Sequence, residues 1–315
     1  MTHTKENNEK RVVRVPVATL WTAPDSPREV DQTSLTASAS MSDWLKVLDD
    51  DQKRELCDEN LVQSQLLLGE EVWVDEWIGD WAKVVVPSQS SKKDKRGYPG
   101  YIPISQLVKT NEADWNSNEQ AVVHKKQAWL YNGAEEPLME VSYLTFLPVI
   151  EEKDTFVKVL YPDGVGYFAS EDVAVQTKHE TKAKGSGEDL IRSGEAFVGL
   201  PYFWGGMSAF GYDCSGFAYN MHKAFHYEIP RDATDQAKSG TNVALDDLQV
   251  GDLLFFAYEE GQGRIHHVGF YYGENKMLHS PNVGKSIEII DLEGTVYEKE
   301  LCVARRYWSE TEEPS

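Results

Sequence analysis

Three side chains far apart in the chain have the types needed for nucleophilic catalysis: Cys214, His267 and His279. A thiol at the first turn of a helix is eased toward thiolate by the helix dipole. One imidazole can then take its proton while a second orients the first, whatever their order along the chain. A lone cysteine is more often a small buried hydrophobe, and Cys57 and Cys302 are read that way. Cys214 is not, because its neighbours agree with one another. Gly205-Gly206 and Gly211 give a flexible approach, Asp213 suits a helix start, and Ser215-Gly216 leave the thiol uncrowded. Phe217, Met221 and Phe225 recur every four residues, which predicts a helix with one buried face.

The histidines sit in strand-like segments, His266-His267-Val268-Gly269-Phe270-Tyr271 and Met277-Leu278-His279-Ser280. His279 follows His267 by 12 positions, enough for strand, tight turn and returning strand. That arrangement sets two imidazoles side by side. Neighbouring side chains on a strand face opposite ways, so only one of His266 and His267 can meet the thiol. His222 and His226 stand at i, i+4 on the expected cysteine helix, a spacing that can hold a metal, but no third ligand accompanies them. We therefore expect no metal and no cofactor. His3, His124 and His179 read as surface residues.

The elements that must position this chemistry are limited by the whole chain. At 315 residues with 41% hydrophobic content, more than one compact domain is expected. Against 31 Lys and Arg stand 52 Asp and Glu, a net charge of −21. That excess opposes nucleic acid and anionic surfaces and favours a small peptide partner. No run of about 18 apolar residues is present, so neither a transmembrane helix nor a membrane partner is expected, and no obligate protein partner is inferred. The first ten residues lack the apolar centre of a secretory signal, and three cysteines without a pairing pattern suit a reducing compartment. A cytoplasmic location is expected; the alternative is a secreted protein whose signal has been removed.

Residues 11–110 read as short strands with turn punctuation, and residues 118–177 repeat the same order. Ala128-Trp129-Leu130-Tyr131 answers Thr19-Leu20-Trp21, and Gly166-Tyr167-Phe168-Ala169 answers Gly100-Tyr101-Ile102-Pro103. Two degenerate copies of a small β-barrel are expected, and their order resembles bacterial SH3-like domains. The first copy carries a helical insertion near 42–58, with Ser42 as its expected N-cap. The stretch from Thr177 to Gly187 has linker composition. A third domain follows over 188–310, opening with a helix near 188–198 whose apolar face is Leu190, Ile191, Ala196 and Val198.

In that third domain Tyr202-Phe203-Trp204-Gly205-Gly206, Asp213-Cys214-Ser215-Gly216, Pro230-Arg231-Asp232, Gly251-Asp252-Leu253, His267-Val268-Gly269 and His279-Ser280 follow in order. The succession resembles the NlpC-type, papain-like cysteine peptidases that cleave bacterial cell-wall peptides. The resemblance implies an α+β fold class, two N-terminal SH3-like β-barrels followed by a papain-like peptidase domain. It implies Cys214 as nucleophile, His267 as general base and then acid, selected over His266 by the Val-Gly that follows it, and His279 as the orienting group. Tyr202 matches a family tyrosine that stabilises the oxyanion. Asp213 and Ser215 contact the peptide in relatives, though both also suit structural caps.

The two-barrel arrangement further resembles murein-recycling endopeptidases that cut γ-D-glutamyl-L-diamino acid bonds in tri- or tetrapeptides with a free N-terminal L-Ala, releasing L-Ala-γ-D-Glu. In such enzymes the first SH3-like domain walls off one end of the cleft. Asp232, with Tyr98 from the Gly97-Tyr98-Pro99-Gly100 loop, is the expected clamp for the substrate ammonium, and Trp204 an aromatic wall. Asp232 also reads as a helix N-cap, and Trp204 as a packing residue. Two other readings remain: a secreted hydrolase using its SH3-like domains to bind intact wall, and a non-catalytic wall-peptide binding protein.

Overall fold

The computed structural model describes residues 9–111, 115, 117–177 and 184–308. Most of the expected linker, His3, His179 and the last two residues of the 188–310 segment lie outside the described residues. The chain divides into two compact units. One carries the residues up to Ser88, those from Lys93 to Thr177 and Ser208–Phe210; the other takes Gln89–Lys92, the residues from Lys184 to Met207 and those from Gly211 to Trp308.

The first unit holds the two sheet copies. The strands of the first are β1 (Glu9–Val13), β2 (Val17–Trp21), β3 (Val62–Leu67), β4 (Glu71–Ile78), β5 (Trp81–Val86), β6 (Tyr98–Pro103) and β7 (Leu107–Val108). Those of the second are β8 (Glu119–Val123), β9 (Gln127–Tyr131), β10 (Pro137–Ser142), β11 (Phe146–Glu152), β12 (Phe156–Tyr161), β13 (Gly164–Ala169) and β14 (Val173–Thr177). Their spatial orders are β3-β2-β6-β5-β4-β1-β7 and β10-β9-β13-β12-β11-β8-β14, the same permutation twice. The repeat reaches single residues. Trp21 pairs with Tyr101, and Tyr131 pairs with Tyr167. A Cβ on Gly100 would lie 2.5 Å from Leu20, and one on Gly166 would lie 2.7 Å from Leu130, so a glycine faces the corresponding leucine in each copy. Period-two patterning supplies the cores: Val72, Val74, Ala82 and Val84 point inward in the first, Val157, Val159 and Phe168 in the second. One expectation is corrected. Among the described residues no pairing joins β3 to β7 or β10 to β14, so these are open sheets and not hydrogen-bonded rings.

The insertion between β2 and β3 is two helices, Met41–Val47 and Asp50–Asp58. Ser40, not Ser42, caps the first by accepting from the Asp43 N–H at 3.2 Å, and Asp49 caps the second with Gln52 in a capping box. Trp44 anchors the pair: it is fully buried 5.9 Å from the Trp21 ring and donates its indole N–H to Asp31.

The second unit packs helices on a six-stranded antiparallel sheet in the order Thr241–Val243, Leu301–Arg306, Leu253–Ala257, Ile265–Gly273, Lys276–His279, Glu288–Asp291. Its opening helix, Gly187–Glu195, starts at a Ser186–Asp189 capping box and buries Leu190 and Ile191. It ends before Ala196 and Val198, both exposed, and Phe197 takes the buried place expected of them. The cysteine helix is Cys214–Ala224, with Ser215 through His222 all buried. It is a core helix closed on every side, not one with a single buried face, and Phe225 ends it as C-cap.

Candidate active site

Asp213, in extended backbone, caps the Cys214 helix by accepting from the Gly216 N–H at 2.6 Å. Position 216 must be glycine, since a Cβ there would lie 2.2 Å from the Gly206 carbonyl oxygen. The cap places Cys214 at the first helical position, part-buried, with the backbone N–H groups of Ser215 and Val268 directed at its sulfur. Val268 follows His267, so the thiol lies against the strand that carries the expected base.

The chain reversal between Gly273 and Lys276 returns the next strand antiparallel, with one register shift beside the turn, and His267 Nε2 meets His279 Nδ1 at 2.8 Å. His267 is 3% exposed and His279 1%, whereas His266, its ring 6.4 Å from that of His267, pairs with Glu300 at 3.0 Å. With Nε2 committed to His279, His267 has Nδ1 left for a thiol proton. If His267 Nε2–H donates, His279 carries its own proton on Nε2, which makes no hydrogen bond among the described residues and lies 3.7 Å from Glu288 Oε1. A third ring closes over the pair: Tyr297 stands 5.1 Å from His267 and 5.3 Å from His279.

Burial decides the electrostatics. It pushes the Cys214 thiol up to about 12, aided by the Asp213 charge, against the opposing pull of the Val268 N–H, Arg231 and the Ser215 N–H. Burial also holds His267 well below the ordinary imidazole range, with His279 and His266 adding to it, and lowers His279 to about 3. Desolvation therefore opposes the expected pull of the helix N-terminus on the thiol. A lone thiolate and a lone imidazolium are each disfavoured here. Passing the proton from Cys214 to His267 leaves the net charge of the site unchanged.

Behind the nucleophile lies a group that the sequence placed in a motif but gave no role. Arg231 is 1% exposed and reaches Asp213 at 2.6 Å and 3.2 Å and Ser215 Oγ at 2.9 Å. Gln236 donates to the Ser215 carbonyl and to that of Pro230, tying the two segments together.

Residues 199–306 match the NlpC/P60 family, and residues 123–175 match the domain described as the YKFC SH3b2 domain. The γ-D-glutamyl-L-lysine dipeptidyl-peptidase of Bacillus subtilis (strain 168) is 50% identical over 294 residues, which is 93% of this chain and 97% of that protein. The protein of the same name from Bacillus cereus (strain ATCC 10987 / NRS 248) is 40% identical over 97% of this chain and 93% of its own. The crystal structure of an NlpC/P60 family protein from Bacillus cereus ATCC 10987 superposes with a TM-score of 0.91, at 40% identity, over 95% of this chain and 99% of that one. The chain belongs to the NlpC/P60 family. It is a cysteine peptidase, and the Cys214, His267 and His279 set described above stands within the matched segment.

The other residues expected in an NlpC/P60 site are placed unevenly. Tyr202 is 7% exposed, its backbone held by the Lys285 carbonyl and by a bridge to Tyr212, two residues before the nucleophile. Trp204 is part-buried on the loop that follows. Asp213 and Ser215 are locked in the Arg231 cluster. Asp232 stands at the N-terminus of the short helix Ala233–Gln236, yet its side chain makes no capping bond, so capping does not account for it. Tyr98 belongs to the other unit, where it opens strand β6 and not a loop and is buried in that sheet's core, while Tyr101 is part-buried; its hydroxyl accepts from the Lys93 ammonium, which also lies over its ring. Of the considered metal pair, His222 is stacked on Phe270 in the core with Nδ1 on the Ala218 carbonyl, while His226 is exposed beyond the helix end. His124 is exposed, as expected, and Cys57 and Cys302 are part-buried where burial was expected.

Proposed function

We propose that this peptidase hydrolyses the γ-D-glutamyl-L-diamino acid bond of murein tri- or tetrapeptides bearing a free N-terminal L-Ala, releasing L-Ala-γ-D-Glu. The observation that carries the reading is identity of 50% along 97% of a γ-D-glutamyl-L-lysine dipeptidyl-peptidase, with the thiol and both imidazoles in place. On this reading the Cys214 sulfur attacks the γ-carbonyl of D-glutamate as its proton passes to His267 Nδ1. His279 keeps the His267 ring in plane and stabilises the imidazolium by accepting from His267 Nε2–H at its own Nδ1. The tetrahedral oxyanion takes a hydrogen bond from the Tyr202 phenol. The imidazolium then protonates the departing diamino-acid amine, and water, deprotonated by His267, releases the dipeptide from the thioester. The substrate ammonium is received by Asp232, and Trp204 walls the cleft. The net charge of −21 and three cysteines that form no disulfide among the described residues support work on soluble fragments in the cytoplasm.

The test compares kcat/KM for L-Ala-γ-D-Glu-L-Lys and its N-acetylated form. Acetylation removes the ammonium and adds bulk at its site, so the free peptide is expected to win by roughly 30- to 4,000-fold, the range for losing a desolvated charge pair. Near-equal values, or release of fragments from purified sacculi, overturn the reading in favour of a wall hydrolase.

A further inference from the structure

His267 has two aromatic neighbours that the chemistry above does not use. Phe256 pairs with it across the sheet, ring centroids 5.8 Å apart. Tyr297 lies 5.1 Å away at an interplanar angle of 30°, and meets His279 edge-on at 5.3 Å and 88°. Tyr297 also packs on Phe256 at 5.0 Å, so one side chain touches both imidazoles and the ring beside them.

Tyr297 sits on the five-residue helix Val296–Glu300, which has little burial to hold it: Val296 is 59% exposed. Local bonds fix one end, from the Gly294 N–H to Glu298 at 2.8 Å and from the Thr295 hydroxyl to the Leu292 carbonyl at 2.7 Å. The other end is fixed by Glu300, whose carboxylate meets His266 Nε2 at 3.0 Å, and His266 is itself stacked on Tyr258 at 4.1 Å and 19°. His266 thus tethers the helix whose tyrosine covers its neighbour His267.

We propose that Tyr297, tethered through Glu300 and His266, is a positioning residue of the peptidase: its ring covers the His267–His279 pair, fixes the plane of His267 and keeps water from it. The proposal rests on the cysteine-peptidase reading of the site. A base whose ring turns freely costs rate without costing affinity, since it matters only once the proton moves. Drying has its own signature. The groups around His267 are Cys214 from the helix, His266 on its own strand, His279 from the next, Glu288 beyond it, and Tyr297 and Glu300 from the short helix. None of them outweighs burial in holding His267 below its ordinary range. Removing the cover admits water and raises that pKa, so the acid limb of activity moves up in pH.

The test uses the full chain as wild type, Tyr297→Phe, Tyr297→Ala and Glu300→Ala, each first checked for an unchanged unfolding transition. Two readouts are taken: kcat and KM on L-Ala-γ-D-Glu-L-Lys, and the pH dependence of Cys214 alkylation by iodoacetamide. The second assumes nothing about substrate, so a wrong peptide and a wrong role for Tyr297 are told apart. Tyr297→Ala should lose about 10- to 100-fold in kcat with KM within about 3-fold, and its alkylation limb should rise toward the ordinary imidazole range. Tyr297→Phe, which keeps the ring, should restore both to within about 3-fold, and Glu300→Ala should show the Tyr297→Ala pattern at about 3- to 10-fold. A folded Tyr297→Ala with an unmoved alkylation limb overturns the proposal, as does a Tyr297→Phe no better than Tyr297→Ala.

Discussion

The two flanks of Cys214 are built on opposite principles. Behind it, Asp213, Ser215 and Arg231 form a charged, hydrogen-bonded cluster in which the guanidinium makes three bonds. In front, His267 and His279 share one hydrogen bond among aromatic rings, and burial disfavours charge on either. Fixed charge is placed where nothing has to move. Where a proton must move, the surroundings keep both partners neutral until it does. The helix start lies between, so its capping carboxylate belongs to the fixed side, and Arg231 offsets the penalty that carboxylate imposes on the thiol.

Replacing the atom the two flanks share should have the largest effect. Cys214→Ser keeps the helix and both clusters but puts a hydroxyl, far harder to ionise, where the thiol was. Turnover of the tripeptide should fall at least about 10³-fold, while the unfolding midpoint stays within about 2 °C. Measurable turnover near the wild-type rate would remove Cys214 as nucleophile. Next comes the fixed flank itself. Arg231→Met leaves a buried carboxylate unpaired, and breaking one side of such a pair costs about 3–5 kcal/mol. Urea unfolding should show that loss, and adding Asp213→Asn, which keeps a capping side chain but removes the charge, should recover much of it. A double variant no more stable than Arg231→Met would mean that packing, not charge, is what Arg231 supplies.

The two flanks were unequally legible in the sequence. The moving flank could be read because its chemistry demands particular residue types, and because 12 residues of strand, turn and strand leave few ways for His267 to miss His279. Choosing His267 over His266 needed the Val-Gly that follows it; alternation alone says only that the two differ. The fixed flank could not be read, since Arg231 reaches across the fold to Asp213 with no periodic signal, and its neighbour Asp232 looked the more functional residue. Tyr297 was invisible for a related reason: an aromatic in a short helix looks like packing until its neighbours are known. In the other unit the repeat was legible because Gly100 and Gly166 each face a leucine that excludes a Cβ. Whether the end strands join was not, since pairing between them would have left no pattern of its own. The shift of the insertion's cap from Ser42 to Ser40 is two positions, between serines that both carry the hydroxyl a cap needs.

Ser215 sits where the two accounts of the fixed flank differ, and its removal should have the smallest effect. Its hydroxyl accepts from Arg231 at 2.9 Å and donates to Asp213 at 3.2 Å, and the residue is 6% exposed. The family resemblance instead gives it a contact with the peptide. Ser215→Ala leaves the Arg231–Asp213 pair with its two direct bonds and removes only the hydroxyl's share, about 1 kcal/mol. If the cluster is its whole role, the unfolding free energy from urea titration should drop by that amount while KM for the tripeptide stays within about 2-fold. If it also binds the peptide, KM should rise roughly 5- to 10-fold on top of the stability loss, because a hydrogen bond to a bound ligand is worth about as much again. Measuring both on one variant separates them. A rise in KM with no change in unfolding free energy would show that Ser215 belongs with the moving side, and that the fixed flank ends at Arg231 and Asp213.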